Sequence, residues 1–143
     1  MRAAVVVIDG DSLVLVERVR DGRRYYLFPG GTVEPGETAE RAAIRESLEE
    51  LGLEVAIIRP VARATFDNNE QLYFLARATG GTFGTGHGDE LSGEPRSQAG
   101  SYRAVRWPID GLSTVDVRPA ALAAMVQRAR SAGWPAGVTE LAG

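Results

Sequence analysis

A chain of 143 residues, 44% of them hydrophobic, can bury one core and has no room for a second large domain. It contains no cysteine, which excludes disulfides and thiolate chemistry and fits a reducing cytoplasm. A net charge of −3 argues against general nucleic-acid binding, and all 16 basic residues are arginine, so the lysine that a phosphate-binding P-loop needs is missing.

Ala3 to Ile8 and Leu13 to Arg18 read as strands joined by a turn at Asp9-Gly10-Asp11. The chain enters this strand pattern in place of a basic, then apolar, signal sequence, and no segment approaches the roughly 18 to 20 apolar residues that span a membrane. Asp21-Gly22 is a second turn, and Arg23 to Phe28 is a short strand that delivers Pro29-Gly30-Gly31. After a turn at Pro35-Gly36, a helix is expected from Thr38 to Leu51, ended by Gly52. Leu53 to Phe66 and Gln71 to Ala78 read as strands around a hairpin turn at Asp67-Asn68-Asn69. Residues 80 to 100 are irregular, and a long loop of that kind is functional or disordered. Tyr102 to Trp107 returns as a strand, Pro108 to Leu112 as a turn, and Pro119 to Ala132 as a closing helix with Leu122, Met125 and Val126 along one side. A loose tail is expected from Gly133 onward.

The chemistry concentrates on the first helix. With about 100° per residue and Glu46 at zero, Glu49 falls near 300° and Glu50 near 40°, so three acids share one arc. Ile44, Leu48 and Leu51 lie between about 140° and 200°. That side is expected to face the core and the acids to face away from it, with Ala39, Ala42 and Ala43 keeping the acidic side open. Carboxylates at this spacing repel, more so as solvent is excluded, and a divalent cation removes the cost. Mg²⁺ binds through one or two carboxylates plus substrate phosphate oxygens, as this stripe would allow. Arg45, one turn before Glu49 and within reach of Glu37, is read as an organiser of the acids, not a ligand. A Glu-rich helix alone is usually a solvated face. The two glycines ahead of it, which let the backbone approach an ion or phosphate closely, favour the functional reading.

Gly31, Glu37, Arg45, Glu46, Glu49, Glu50, Gly52 and Leu53 stand in register with a known signature: Gly, five residues, Glu, seven residues, Arg-Glu, an apolar residue, one residue, Glu-Glu, one residue, Gly and an apolar residue. The segment resembles the Nudix hydrolases. Ser47 departs from the pattern, which prefers an apolar side chain there. The resemblance implies an α/β (α+β) domain over residues 1–133, a mixed, curved β-sheet flanked by helices, followed by the tail at 134–143. It implies hydrolysis of a nucleoside diphosphate linked to another moiety, such as a nucleoside triphosphate or nucleotide derivative. Glu49, Glu50 and the Gly30 carbonyl would hold Mg²⁺, or Mn²⁺ in its place, and Glu46 would hold a second ion or orient the attacking water. Gly31, Glu34 and Arg96 would meet the substrate, while Glu37 and Gly52 would be structural.

The resemblance also points to the 80–100 loop as a source of one more carboxylate, with Glu94 the first candidate and Glu90 the second; His87 reads as an incidental loop residue. Tyr25, Tyr26, Phe66 and Tyr73 are candidates for contact with a base, each more readily explained as core. The implied partner is a small nucleotide or diphosphate, with neither nucleic acid nor membrane, and the N-terminal strands leave a homodimer open. Two rivals are a nucleotide-sensing module that keeps the fold without catalysis, and an isomerase of isoprenoid diphosphates. The latter would be expected to carry a catalytic cysteine, and this chain has none.

Overall fold

The computed structural model describes residues 1–85 and 101–141. Among them are nine strands and two α-helices: β1 (Arg2–Asp9), β2 (Ser12–Arg20), β3 (Arg23–Leu27), β4 (Gly30–Thr32), α1 (Ala39–Leu51), β5 (Leu53–Phe66), β6 (Asn69–Gly81), β7 (Ser101–Pro108), β8 (Val117–Arg118), α2 (Ala120–Ala132) and β9 (Thr139–Glu140). A 3-10 helix, Ile109–Thr114, stands where a turn was expected. Positive φ at both Asp21 and Gly22, and at both Asp67 and Asn68, gives two tight two-residue hairpin turns whose twist matches their strands. Among the described residues no helix is long and apolar enough to cross a membrane.

The sheet is mixed and curled. One half runs β4-β1-β6-β5-β9, with β1 parallel to β6 and antiparallel to β4; the other runs β8-β3-β2-β7. The halves join through the β1–β2 hairpin, whose register is confined to Ile8↔Leu13 and Asp9↔Ser12. Away from that turn β1 follows β4 and β6 while β2 follows β3 and β7, so the sheet curls into a half-barrel flanked by helices. Both central strands are buried on both faces. Ala3, Val5, Val7, Val14 and Val16 pack in the cluster that includes Ala42, Ala43 and Leu51 of α1, while Ala4, Val6, Leu13 and Leu15 pack in the cluster that includes Leu122, Met125 and Val126 of α2. Double-sided burial is why these strands read as continuous apolar runs. Across β3-β2-β7, Glu17 lies opposite Tyr26 and Arg103. Its buried carboxylate accepts from Tyr26 Oη at 3.0 Å and pairs with Arg103 Nη2 at 3.1 Å, so the charge is compensated.

Two expectations are corrected here. The core face of α1 is not the Ile44–Leu48 side: Ile44 is 40% and Leu48 50% exposed. The buried positions are Ala42, Ala43, Ser47, Glu50 and Leu51, so the acidic side is turned toward the sheet. Small side chains let the helix lie close to β1 and β4, and that close approach decides the orientation. Ser47, fully buried, donates to the Ala43 carbonyl at 2.9 Å and leaves no unpaired hydroxyl. The second correction is the tail. Residues 134–141 lie against the fold: β9 pairs with β5 at Ala62↔Thr139 and Arg63↔Glu140, Leu141 N donates to Arg63 O at 2.7 Å, and Trp134 and Leu141 pack on the core.

Candidate active site

Thr38 caps α1 by accepting from Arg41 N at 3.1 Å, and Gly52, at φ 77°, ends it with its N–H on the Leu48 carbonyl. These two ends fix where the acid stripe meets β4. Gly30 and Gly31 are glycines for want of space: a Cβ at Gly30 would collide with the Ala3 carbonyl and the Ala4 side chain, and a Cβ at Gly31 with the Glu46 carboxylate. Glu46 therefore lies directly on Gly31. Beside it, Gly30 N donates to Glu50 Oε1 at 2.8 Å, a buried bond that holds the second carboxylate to the same turn.

Arg45 binds the loop and the helix together. Its Nε and Nη2 each lie 2.9 Å from Glu37, one per carboxylate oxygen; Nη1 reaches Glu46 at 2.9 Å and Glu49 at 3.3 Å, and Nη2 also donates to the Thr32 carbonyl at 3.0 Å. Glu37 in turn accepts from Glu34 N at 3.1 Å, which closes the 34–37 turn. Hydrogen bonds from Arg45, then from the Glu34 backbone, hold the Glu37 carboxyl down at about 2, and the same Glu37 pairing raises the guanidinium further above its ordinary value.

Two predictions follow from this clamp. Lysine keeps the charge of Arg45 but not the planar fork, so Arg45→Lys lowers kcat/KM by about 10- to 100-fold, the range for groups that orient ligands. Unchanged rate and metal affinity would make Arg45 a surface charge only. For Glu37 the carboxyl is depressed from 4.5 to about 2, so its pairing stabilises the fold above pH 4.5 and is lost as pH falls toward 2. The stability gap between wild type and Glu37→Gln, followed by urea midpoint, narrows across that window; a gap independent of pH would contradict the ion pair.

The site opens onto a cavity of 460 Å³ in the cleft of the curled sheet, with Gly30, Gly31, Glu34, Glu46 and Glu50 along one wall. Phe66, Gln71 and Tyr73 also line it, as do Arg18 and Tyr102, whose guanidinium and ring stack at 4.5 Å. Arg2 lies at the Gly30 carbonyl, 3.4 Å away, and Arg118 forms part of the lining. A family model described as NUDIX domain matches residues 1–107.

The chain belongs to the Nudix family.

A Bacillus subtilis (strain 168) protein named "Putative 8-oxo-dGTP diphosphatase" is 38% identical over 82 residues, 55% of this chain and 54% of that protein. The 8-oxo-dGDP phosphatase NUDT18 of Mus musculus is 32% identical over 110 residues, 73% of this chain and 32% of that one. The chain thus spans about half or less of the curated relatives it matches. Among solved structures, a NUDIX hydrolase from Nitrosomonas europaea superposes with a TM-score of 0.73 at 18% identity, over 98% of this chain and 77% of that one. That is a likeness of fold.

Within this Nudix domain the structure brings Gly30, Gly31, Glu37, Arg45, Glu46, Glu49 and Glu50 to one place, with Glu49 the most exposed of the three helix acids. Glu34 lines the cavity, with its carboxylate 3.9 Å from Arg45. Glu90, Glu94, Arg96 and His87 lie outside the described residues. Of the aromatic candidates, Phe66 and Tyr73 line the cavity; Tyr26 is buried beside Trp107, with ring centres 5.2 Å apart, and Tyr25 stands outside under Arg118. Arg2, Arg18, Gln71, Tyr102 and Arg118 were not anticipated as lining.

The donor set suits a hard divalent cation, since it consists of carboxylate and carbonyl oxygens only. Among the described residues no three acids form a ready-made cage, and the Arg45 guanidinium stands between Glu46 and Glu49. Its contacts to Glu49, 3.3 and 3.4 Å, are longer than its paired bonds to Glu37. Glu49 is the carboxylate it would yield most easily to a cation.

Proposed function

We propose that this Nudix domain is a Mg²⁺-dependent hydrolase that cleaves a diphosphate bond in a nucleoside diphosphate linked to another moiety. The observation that carries the reading is the convergence of Glu46 and Glu50 on Gly30 and Gly31 at the wall of a 460 Å³ cavity. Carboxylate and carbonyl oxygens gathered there suit a cation, and a cavity of this size takes a nucleotide. Glu50, Glu49 and the Gly30 carbonyl would hold the metal, with Mn²⁺ able to replace it. When bound, the ion supplies charge stabilisation to the phosphoryl oxygens.

The protein's own groups supply position. Arg45 keeps Glu37, Glu46 and the 34–37 turn in fixed relation, so the carboxylates need no reorganisation when substrate arrives. Glu46, against Gly31, would orient the attacking water or help hold a second ion. Arg2, at the Gly30 carbonyl, and Arg18, stacked on Tyr102, are placed to meet the phosphates. The names of the two relatives, a putative 8-oxo-dGTP diphosphatase and an 8-oxo-dGDP phosphatase, support this class of reaction.

A panel of nucleoside triphosphates, nucleotide sugars, dinucleoside polyphosphates and ADP-ribose, read by product mass, tests it. The reading expects two phosphorylated products from at least one member, or a nucleotide and pyrophosphate. Tight binding across the panel with no cleavage would replace it with a nucleotide sensor.

A further inference from the structure

Three arginines gather beside the cavity, away from the acid stripe. Arg20 and Arg23 are direct cross-strand partners at the end of the β2–β3 hairpin, and Arg18 and Tyr25 form a further pair two residues along. Residues two apart on a strand share a face, so all four belong to one side of the sheet. Arg118 of β8 pairs with Leu27 in the same row, and its guanidinium lies 4.1 Å above the centre of the Tyr25 ring. Arg20, Asp21, Arg23, Tyr25 and Arg118 line a second cavity of 430 Å³. Arg118 lines the main cavity as well, so the two adjoin at that side chain.

Like charges placed opposite each other in an antiparallel pair repel. Nothing in the overall balance calls for them, since the chain carries a net charge of −3. The neighbouring acids leave the cluster positive: Asp21 approaches Arg20 only at 3.9 Å, and Asp116 is engaged with Arg118, at 2.8 Å to Nη2 and 3.3 Å to Nε. That last pair also fixes the direction of the Arg118 fork. A phosphate set between Arg20, Arg23 and Arg118 would turn the repulsion into charge-assisted hydrogen bonds. Arg20 and Arg23 lie within residues 1–107 matched by the family model and Arg118 beyond them, so the three together are not part of that match.

We propose that the outer cavity is a second anion subsite, holding a phosphate carried on the substrate at a distance from the diphosphate that is cleaved. The substrate class is then a nucleotide derivative with a further phosphate, in preference to its plain counterpart. This deepens the hydrolase reading and rests on it for the kinetic test.

The test uses substrate pairs that differ by one distal phosphate, NAD⁺ with NADP⁺ and ADP-ribose with its 2′-phosphate, on wild type and the Arg20→Ala/Arg23→Ala double variant. The variant removes a repelling pair and is expected to fold. For wild type the phosphorylated member has a KM lower by about tenfold; in the variant that advantage falls to about twofold or less, with kcat and KM for the plain member unchanged. Absence of the preference in wild type, or its survival in the variant, overturns the subsite. Should the chain hydrolyse neither pair, the hydrolase reading is judged by the wider panel alone, and the subsite is judged by calorimetry with pyrophosphate in metal-free buffer. A Kd raised about tenfold by the double variant, and not by Glu50→Gln, supports it; equal Kd in wild type and the double variant overturns it.

Discussion

Glu50→Gln lowers kcat by about 100-fold or more, the scale of losing one electrostatic stabiliser at a reacting centre, while the protein stays folded. The amide keeps the size of the side chain, and its Oε1 can still accept from Gly30 N, so the bond at 2.8 Å persists. What disappears is the negative charge of a residue that is 8% exposed. In the absence of metal that charge is a cost, through desolvation and through repulsion from Glu46. The melting temperature without Mg²⁺ therefore holds or rises slightly, and the stabilisation that Mg²⁺ gives wild type shrinks. Wild-type turnover at the same Mg²⁺ concentration would remove Glu50 from the site. Glu50→Ala is the sharper variant for stability, because it leaves the Gly30 N–H buried without its acceptor at a cost of about 1–3 kcal/mol.

Gly30→Ala has the largest expected effect on stability. The added Cβ meets the Ala3 carbonyl and the Ala4 side chain, both on a strand paired to β4 and buried on both faces, so nothing nearby can yield. We expect a loss of about 3 kcal/mol or more, above the ordinary range for overpacking, read as a fall in urea midpoint. Gly31→Ala provides the contrast. There the three atoms nearest the added one all belong to the carboxylate of Glu46, the far end of a flexible side chain that can swing away. Stability falls little, but Glu46 leaves its place, and kcat drops by about tenfold or more. Equal loss of stability in the two variants would show that the glycines serve β4 packing alone.

The bounds of α1 were legible because its ends are written in local chemistry: a threonine that caps, a glycine in the left-handed region, and acids at fixed spacing between them. The hairpins at Asp21-Gly22 and Asp67-Asn68 were legible for the same reason. The orientation of α1 was not. An apolar wheel equates large side chains with burial, whereas this helix is seated through Ala42, Ala43, Ser47 and Leu51 and leaves Ile44 and Leu48 outside. A helix must come close to a Gly-Gly turn to bring Glu46 and Glu50 onto it, and only small residues permit that approach. β4, β8 and β9, with two or three residues each, are too short to carry a period, and their existence depends on partners far away in sequence. The cavity lining was hidden for a related reason. Arg2, Arg18, Gln71, Tyr102 and Arg118 come from five separate strands and meet only because the sheet curls.

Hydrolysis of the best substrate in the panel, followed against Mg²⁺ concentration for wild type and Glu50→Gln side by side, tests the central claim most directly. The account predicts a wild-type rate that climbs from background to saturation with Mg²⁺, and a variant that stays near background across the same range. A wild-type rate that ignores Mg²⁺, or a variant that saturates at the same concentration and rate as wild type, would contradict it.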